Sequence, residues 1–152
     1  MSLSQTIKTD LITALKEKDQ VRISTLRMVQ AAVKNREIEL KKREEGLDDE
    51  ETIDVLVKEA KKRKDSIEAY EKGKRDDLVK REKSELTVIE TYLPKQLSEE
   101  EIKKEVEIAI KEARVESVKD MGKVMAILMP KLKGKADGGK VSKVVRGVLS
   151  GN

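Results

Sequence analysis

Apolar residues recur along this chain at three- and four-residue intervals, the spacing that gathers side chains on one face of an α-helix. The first stripe, Ile7, Leu11, Ile12 and Leu15, predicts a helix over 5–18 with Ser4 as its cap. Asp19 is a natural cap for a second helix, running to about 44, whose stripe is Ile23, Leu26, Val29 and Val33. Ala31 and Ala32 would allow close approach there, and the charged end REIELKKREE is expected to project into water. Gly46 is expected to end this helix, and Asp48 or Asp49 opens the third, with Ile53, Leu56, Val57, Ala60, Ile67 and Tyr70 on one face up to Gly73. A fourth helix from about 76 carries Leu78, Val79, Leu86, Ile89 and Leu93. Long helices joined by short loops imply antiparallel neighbours.

Tyr92-Leu93-Pro94-Lys95-Gln96-Leu97 reads as a linker, because proline holds the residue before it away from helical geometry. Ser98 and Glu101 then form a capping-box pattern for a fifth helix carrying Ile102, Val106, Ala109, Ile110 and Ala113. A sixth begins near Ser117 with Met121, Val124, Met125 and Leu128, and Pro130 is expected to end or kink it. Gly122 is costly within a helix and is read as a point of close packing. A seventh helix opens at about Asp137 with Val141, Val144, Val145 and Val148 inward. The sum is an all-α protein: an N-terminal bundle or hairpin stack over 1–94, then a small three-helix module over 95–152.

Two stripes are interrupted by charge. The third helix passes through Arg63 and Lys64, and the fourth through Glu82. An unpaired buried charge is expensive, so a partly buried ion pair of Arg63 or Lys64 with Glu82 or Glu85 is expected. The alternative is that long stems lie on the core while their heads reach water.

Composition narrows the chemistry. Of 152 residues 42% are charged and 1% aromatic, Tyr70 and Tyr92 alone. Base-stacking platforms need exposed rings, so that class of nucleic-acid module is excluded. Without Cys or His there is no disulfide, no zinc site of the usual kind, no cysteine nucleophile and no histidine base. No cofactor, metal or catalytic residue is expected. The N-terminus lacks a signal-peptide core, and no apolar run approaches the roughly 20 residues of a membrane span, so the default expectation is a cytoplasmic protein without a membrane partner.

Charge is distributed unevenly. Residues 117–152 hold Lys/Arg at 119, 123, 131, 133, 135, 140, 143 and 146 against Asp120 and Asp137, a net +6 in a chain whose total is +4. That concentration points to a polyanion. Gly134, Gly139 and Lys140 satisfy part of a P-loop, but the Ser/Thr for magnesium is replaced by Val141 and a helix, not a strand, precedes the loop. A glycine-rich turn feeding a helix can still offer N–H groups to phosphate, although Asp137 competes for them as a cap. Lys133, Lys135, Lys140, Lys143 and Arg146 are the phosphate-contact candidates, with Lys123 and Lys131 peripheral. Gly134, Gly138 and Gly139 would allow close backbone approach. The paired acids Glu99 to Glu101 and Asp48 to Glu51 read as helix-start caps, and Ser142 or Ser117 beside lysine lacks any visible oxyanion hole.

LRMVQAAVKNREI (26–38), KKRKDSIEAYEKGKRDDLVKRE (61–82), YLPKQLSEEEI (92–102) and KDMGKVM with LKGKADGGKV (119–141) together resemble the stand-alone YqeY family over nearly the full length. The last stretch is also similar to the C-terminal tail of the GatB component of the tRNA-dependent amidotransferase, through Gly122, Val124, Met125, Lys133, Gly134, Lys135, Ala136, Asp137 and Val141. Gly138 stands where that tail often has proline. The resemblance implies two helical subdomains and tRNA or another structured RNA as partner. It also implies a family link to carbon–nitrogen ligase chemistry with glutamine as amide donor, though neither the kinase-like cradle nor the amidase Ser/Lys machinery is recognisable here. A non-catalytic RNA-binding module is therefore the expectation. The alternative is a protein-interaction module docking on an amidotransferase or another tRNA-handling complex. Oligomeric state is left open.

Overall fold

The structure is a computed structural model and describes residues 1–151. Among them are seven α-helices and no strand: α1 (Leu3–Glu17), α2 (Gln20–Glu39), α3 (Asp49–Lys72), α4 (Asp76–Glu90), α5 (Glu99–Ala113), α6 (Met121–Leu132) and α7 (Gly138–Leu149), with a 3-10 turn Val118–Asp120 leading into α6. The all-α reading therefore holds. The chain packs as two compact units, Met1–Leu93 and a second from Pro94 on.

Helix starts follow side-chain caps. The Asp48 carboxylate accepts from Glu51 N–H while Glu51 accepts from Asp48 N–H, and Ser98 with Glu101 does the same for α5. The expected cap of α1 is corrected: Ser2 makes the capping box with Gln5, and Ser4 lies inside the helix.

Helix ends correct more of the reading. Lys18, Lys41, Lys74 and Arg114 take left-handed backbone at φ of 57°, 58°, 55° and 54°. After each, the next N–H reaches back five residues, Asp19 to Ala14 O, Lys42 to Glu37 O, Arg75 to Tyr70 O and Val115 to Ile110 O. This is the Schellman closure that glycine usually serves. Here a cation takes the glycine position, where it also faces the negative end of the helix dipole. Helix α2 thus stops at Glu39, well before Gly46; the charged stretch does face water, with Glu39, Lys41, Arg43, Glu44 and Glu45 exposed, but not as a continuing helix. It turns back, and Leu40 and Leu47 join the core.

That first core joins Ile7 of α1, Leu26, Val29 and Val33 of α2, Val55, Leu56 and Ala60 of α3 and Ile89 of α4. Ile12 and Leu15, expected on the inner face of α1, are exposed; Ala14 is buried instead. Ala31 also faces solvent, while Ala32 packs on the core. Tyr92 Oη donates to Asp10 Oδ2 at 2.5 Å, tying the end of this unit to α1.

The interrupted stripes hold an ion network. Arg63, Glu59 and Glu85 are all buried. Arg63 Nη1 donates to Glu59 Oε2 at 2.5 Å and to the Glu59 carbonyl at 3.2 Å, and Arg63 Nε lies 3.6 Å from Glu85 Oε2. The pairing of Arg63 with Glu85 was expected; Glu59, one turn back on the same helix, was not. Glu82 is half-buried beside the network and makes no ion pair among the described residues. Burial, with the Glu85 charge second, raises its carboxyl above the ordinary value.

Candidate nucleic-acid interface

The second unit is built on Ile102, Val106 and Ala109 of α5, Val124, Leu128 and Leu132 of α6, Val141 and Val145 of α7, and Val115. These apolar stripes leave the opposite sides of α6 and α7 to solvent. Pro130 lies in the last turn of α6, and the helix continues to Leu132. Gly122 has nothing within 4 Å of an added Cβ, so the expected close packing is absent and the residue sits in open space.

The 133–137 loop is held from three sides. Gly134 is buried and takes φ +78°, a backbone state that favours glycine. Gln96 Nε2 donates to its carbonyl at 2.7 Å, and Leu97 N–H donates to the Lys135 carbonyl at 2.9 Å. The segment after Pro94, read as a linker, therefore straps the loop. Lys135 and Ala136 N–H both return to the Leu132 carbonyl. Asp137 caps α7 by accepting from Gly139 N–H at 3.2 Å, the competition for helix-start donors that the sequence implied. A Cβ on Gly138 would lie 3.2 Å from Met129 Cε. Turn geometry and packing thus account for Gly134 and Gly138 without a ligand. Val141 is fully buried, so the position after Lys140 cannot present a metal ligand.

All seven candidate cations, Lys123, Lys131, Lys133, Lys135, Lys140, Lys143 and Arg146, are exposed. They are not equivalent. Lys131 Nζ lies 2.8 Å from Glu105 Oε2, and that contact and charge hold the ammonium above the ordinary lysine value. Lys140 Nζ lies 4.0 Å from Glu99 Oε1. Helix α5 therefore draws off part of the positive charge. Lys123, Lys135, Lys143 and Arg146 make no ion pair among the described residues. Lys140, Lys143 and Arg146 follow at three-residue intervals on the solvent side of α7, away from Val141 and Val145. The pairing with α5 was the part that residue spacing could not reveal; the acidic surface of α5 was its signal.

The family described as Yqey-like protein matches residues 4–149. Curated relatives include the Altered inheritance of mitochondria protein 41, mitochondrial, of Kluyveromyces lactis, 41% identical over 86 residues (57% of this chain and 45% of that protein). The protein of the same name from Lachancea thermotolerans is 40% identical over 87 residues, and that of Saccharomyces cerevisiae strain S288c is 37% identical over 87 residues, each match covering 57% of this chain and 46% of the relative. The match thus spans less than half the length of these relatives. Their names correct the expectation of a cytoplasmic protein, since all three are called mitochondrial. That expectation rested on missing signals, and a missing secretion signal does not tell one interior compartment from another.

Proposed function

Because the chain belongs to the Yqey-like protein family, we propose that it is a non-catalytic module that binds structured RNA, with tRNA as the leading ligand. The observation that carries this reading is the set of exposed cations without ion-pair partners among the described residues, Lys123, Lys135, Lys143 and Arg146, in a segment of net +6. Backbone phosphates are the ligand such a set would take, with affinity falling steeply in salt. The lack of aromatic stacking residues favours recognition of RNA shape over base readout. Similarity to the amidotransferase tail supports tRNA in particular. The relatives' names make mitochondrial tRNA one of the pools to test. Amide transfer is not part of the proposal, and purified protein is expected to show no glutamine-dependent turnover.

The test is a salt series of binding to purified tRNA with duplex RNA of equal length as competitor. Preference for tRNA that persists at physiological salt is expected. Replacing Lys135 and Lys143 together by Ala should weaken binding and lower the salt slope by about 1.5, given roughly 0.7–0.9 per phosphate contact. Lys131→Ala should matter less, because Glu105 already neutralises that charge. Equal, weak binding to both RNAs that vanishes at physiological salt would sink the reading.

A further inference from the structure

Helix α2 differs from the rest of the chain in what it turns to solvent. Charged residues make up 42% of the sequence. Yet from Gln20 to Ile38 the exposed positions carry only two, Arg27 and Lys34. The others are Val21, Met28, Ala31, Asn35, Ile38 and Gln20 itself. Val21 is 42% exposed, Met28 40% and Ile38 48%. The core stripe of this helix, Ile23, Leu26, Val29 and Val33, is already buried in the N-terminal unit. α2 is thus apolar on two sides, and only one of them is covered.

The uncovered side has a register. Val21, Ser24, Met28, Ala31, Asn35 and Ile38 follow at intervals of three, four, three, four and three, the seam of a heptad repeat. The residue before each of Val21, Met28 and Asn35 is Gln20, Arg27 and Lys34 in turn, the flanking position that sets partner choice in paired helices. No carboxylate is exposed on this side until Glu39, and Arg36 already holds Glu39 at 2.8 Å. From Val21 to Ile38 the seam runs about 26 Å at 1.5 Å per residue, enough for roughly five helical turns of a partner. Met28 is also braced from beneath, its Sδ accepting from Arg63 Nη2 at 3.4 Å.

The charge pattern selects among occupants. A second copy of this chain would bring four cations together with no free carboxylate to meet them. An RNA would gain nothing from the apolar seam, which offers no aromatic ring for stacking. We infer that the outer face of α2 docks a helix of another protein, one with its own three-and-four apolar stripe flanked by Asp and Glu. This surface shares no residue with the basic segment of α6 and α7, and its test does not depend on RNA binding.

The test places a photo-crosslinking amino acid at Asn35 of the full chain in the cells that express it, with the same group at exposed Lys58 of α3 as control. The expected product is a crosslink to a peptide of another protein whose apolar residues recur at three and four with acidic flanks. Arg27→Glu with Lys34→Glu should reduce it at least fivefold while leaving the urea midpoint and tRNA affinity unchanged. A crosslink to RNA, to a second copy of this chain or to a peptide without that pattern would overturn the inference. So would a yield no greater than at Lys58, or indifference to the double charge reversal.

Discussion

Arg63→Met tests the buried ion network, and its cost follows from the contacts. The substitution keeps the apolar stem but removes the guanidinium between Glu59 and Glu85, which are 7% and 5% exposed. Breaking a buried pair from one side typically costs about 3–5 kcal/mol, because a charge is left without compensation. The lower end applies here. Lys62 Nζ still lies 3.1 Å from Glu59 Oε1, and Arg81 Nε 3.6 Å from Glu85 Oε1. About 3 kcal/mol is therefore expected, a large share of the stability of a small unit. Both tyrosines, Tyr70 and Tyr92, lie in Met1–Leu93, so tyrosine fluorescence during urea unfolding follows that unit alone. The midpoint should fall with the urea dependence unchanged. Adding Glu59→Met and Glu85→Leu removes the orphaned carboxylates, and this triple variant should recover to within about 1 kcal/mol of the parent. A loss below about 1 kcal/mol for Arg63→Met, or a triple variant less stable than the single one, would refute the reasoning.

Three further outcomes are expected. Gly122→Ala should stabilise the second unit by up to about 1 kcal/mol, read as a higher melting temperature, since the added methyl meets nothing and alanine is the better helix former. Lys41→Gly should raise the urea midpoint of the first unit by about 1 kcal/mol, because glycine adopts the left-handed closure without the cost a side chain carries. Glu82→Gln should stabilise at neutral pH and have no effect in acid. The folded carboxyl sits above its ordinary value of 4.5, so in the window between the two the folded state binds more protons than the unfolded one. Stability then falls as pH rises through that window, and glutamine removes the dependence. A parent midpoint that does not change relative to Glu82→Gln between about pH 4 and 7 would contradict this sign.

The inventory of elements is legible in the chain before it folds. The three-and-four spacing of Leu26, Val29 and Val33, or of Ile102, Val106 and Ala109, is a local property, and so are the caps at Asp48 and Ser98. Helix type and most helix starts follow from interactions within four residues, and the positive segment can be counted directly. Whatever depends on distant neighbours is settled only by packing. Helix α2 gives way to the left-handed turn at Lys41 because the returning chain buries Leu47 and packs half-buried Leu40 on the core, and no glycine marks that place. Glu85 meets the Arg63–Glu59 pair of α3 only when α3 and α4 lie side by side. Glu105 and Glu99 claim Lys131 and Lys140 only when α5 packs beside the basic helices, which sets these two apart from Lys123, Lys135, Lys143 and Arg146. The outer face of α2 has a visible period, but only the packed bundle decides which of its two apolar sides the core consumes. Spacing along one helix sets which residues share a face, whereas the other helices set which face is covered and which charge is met.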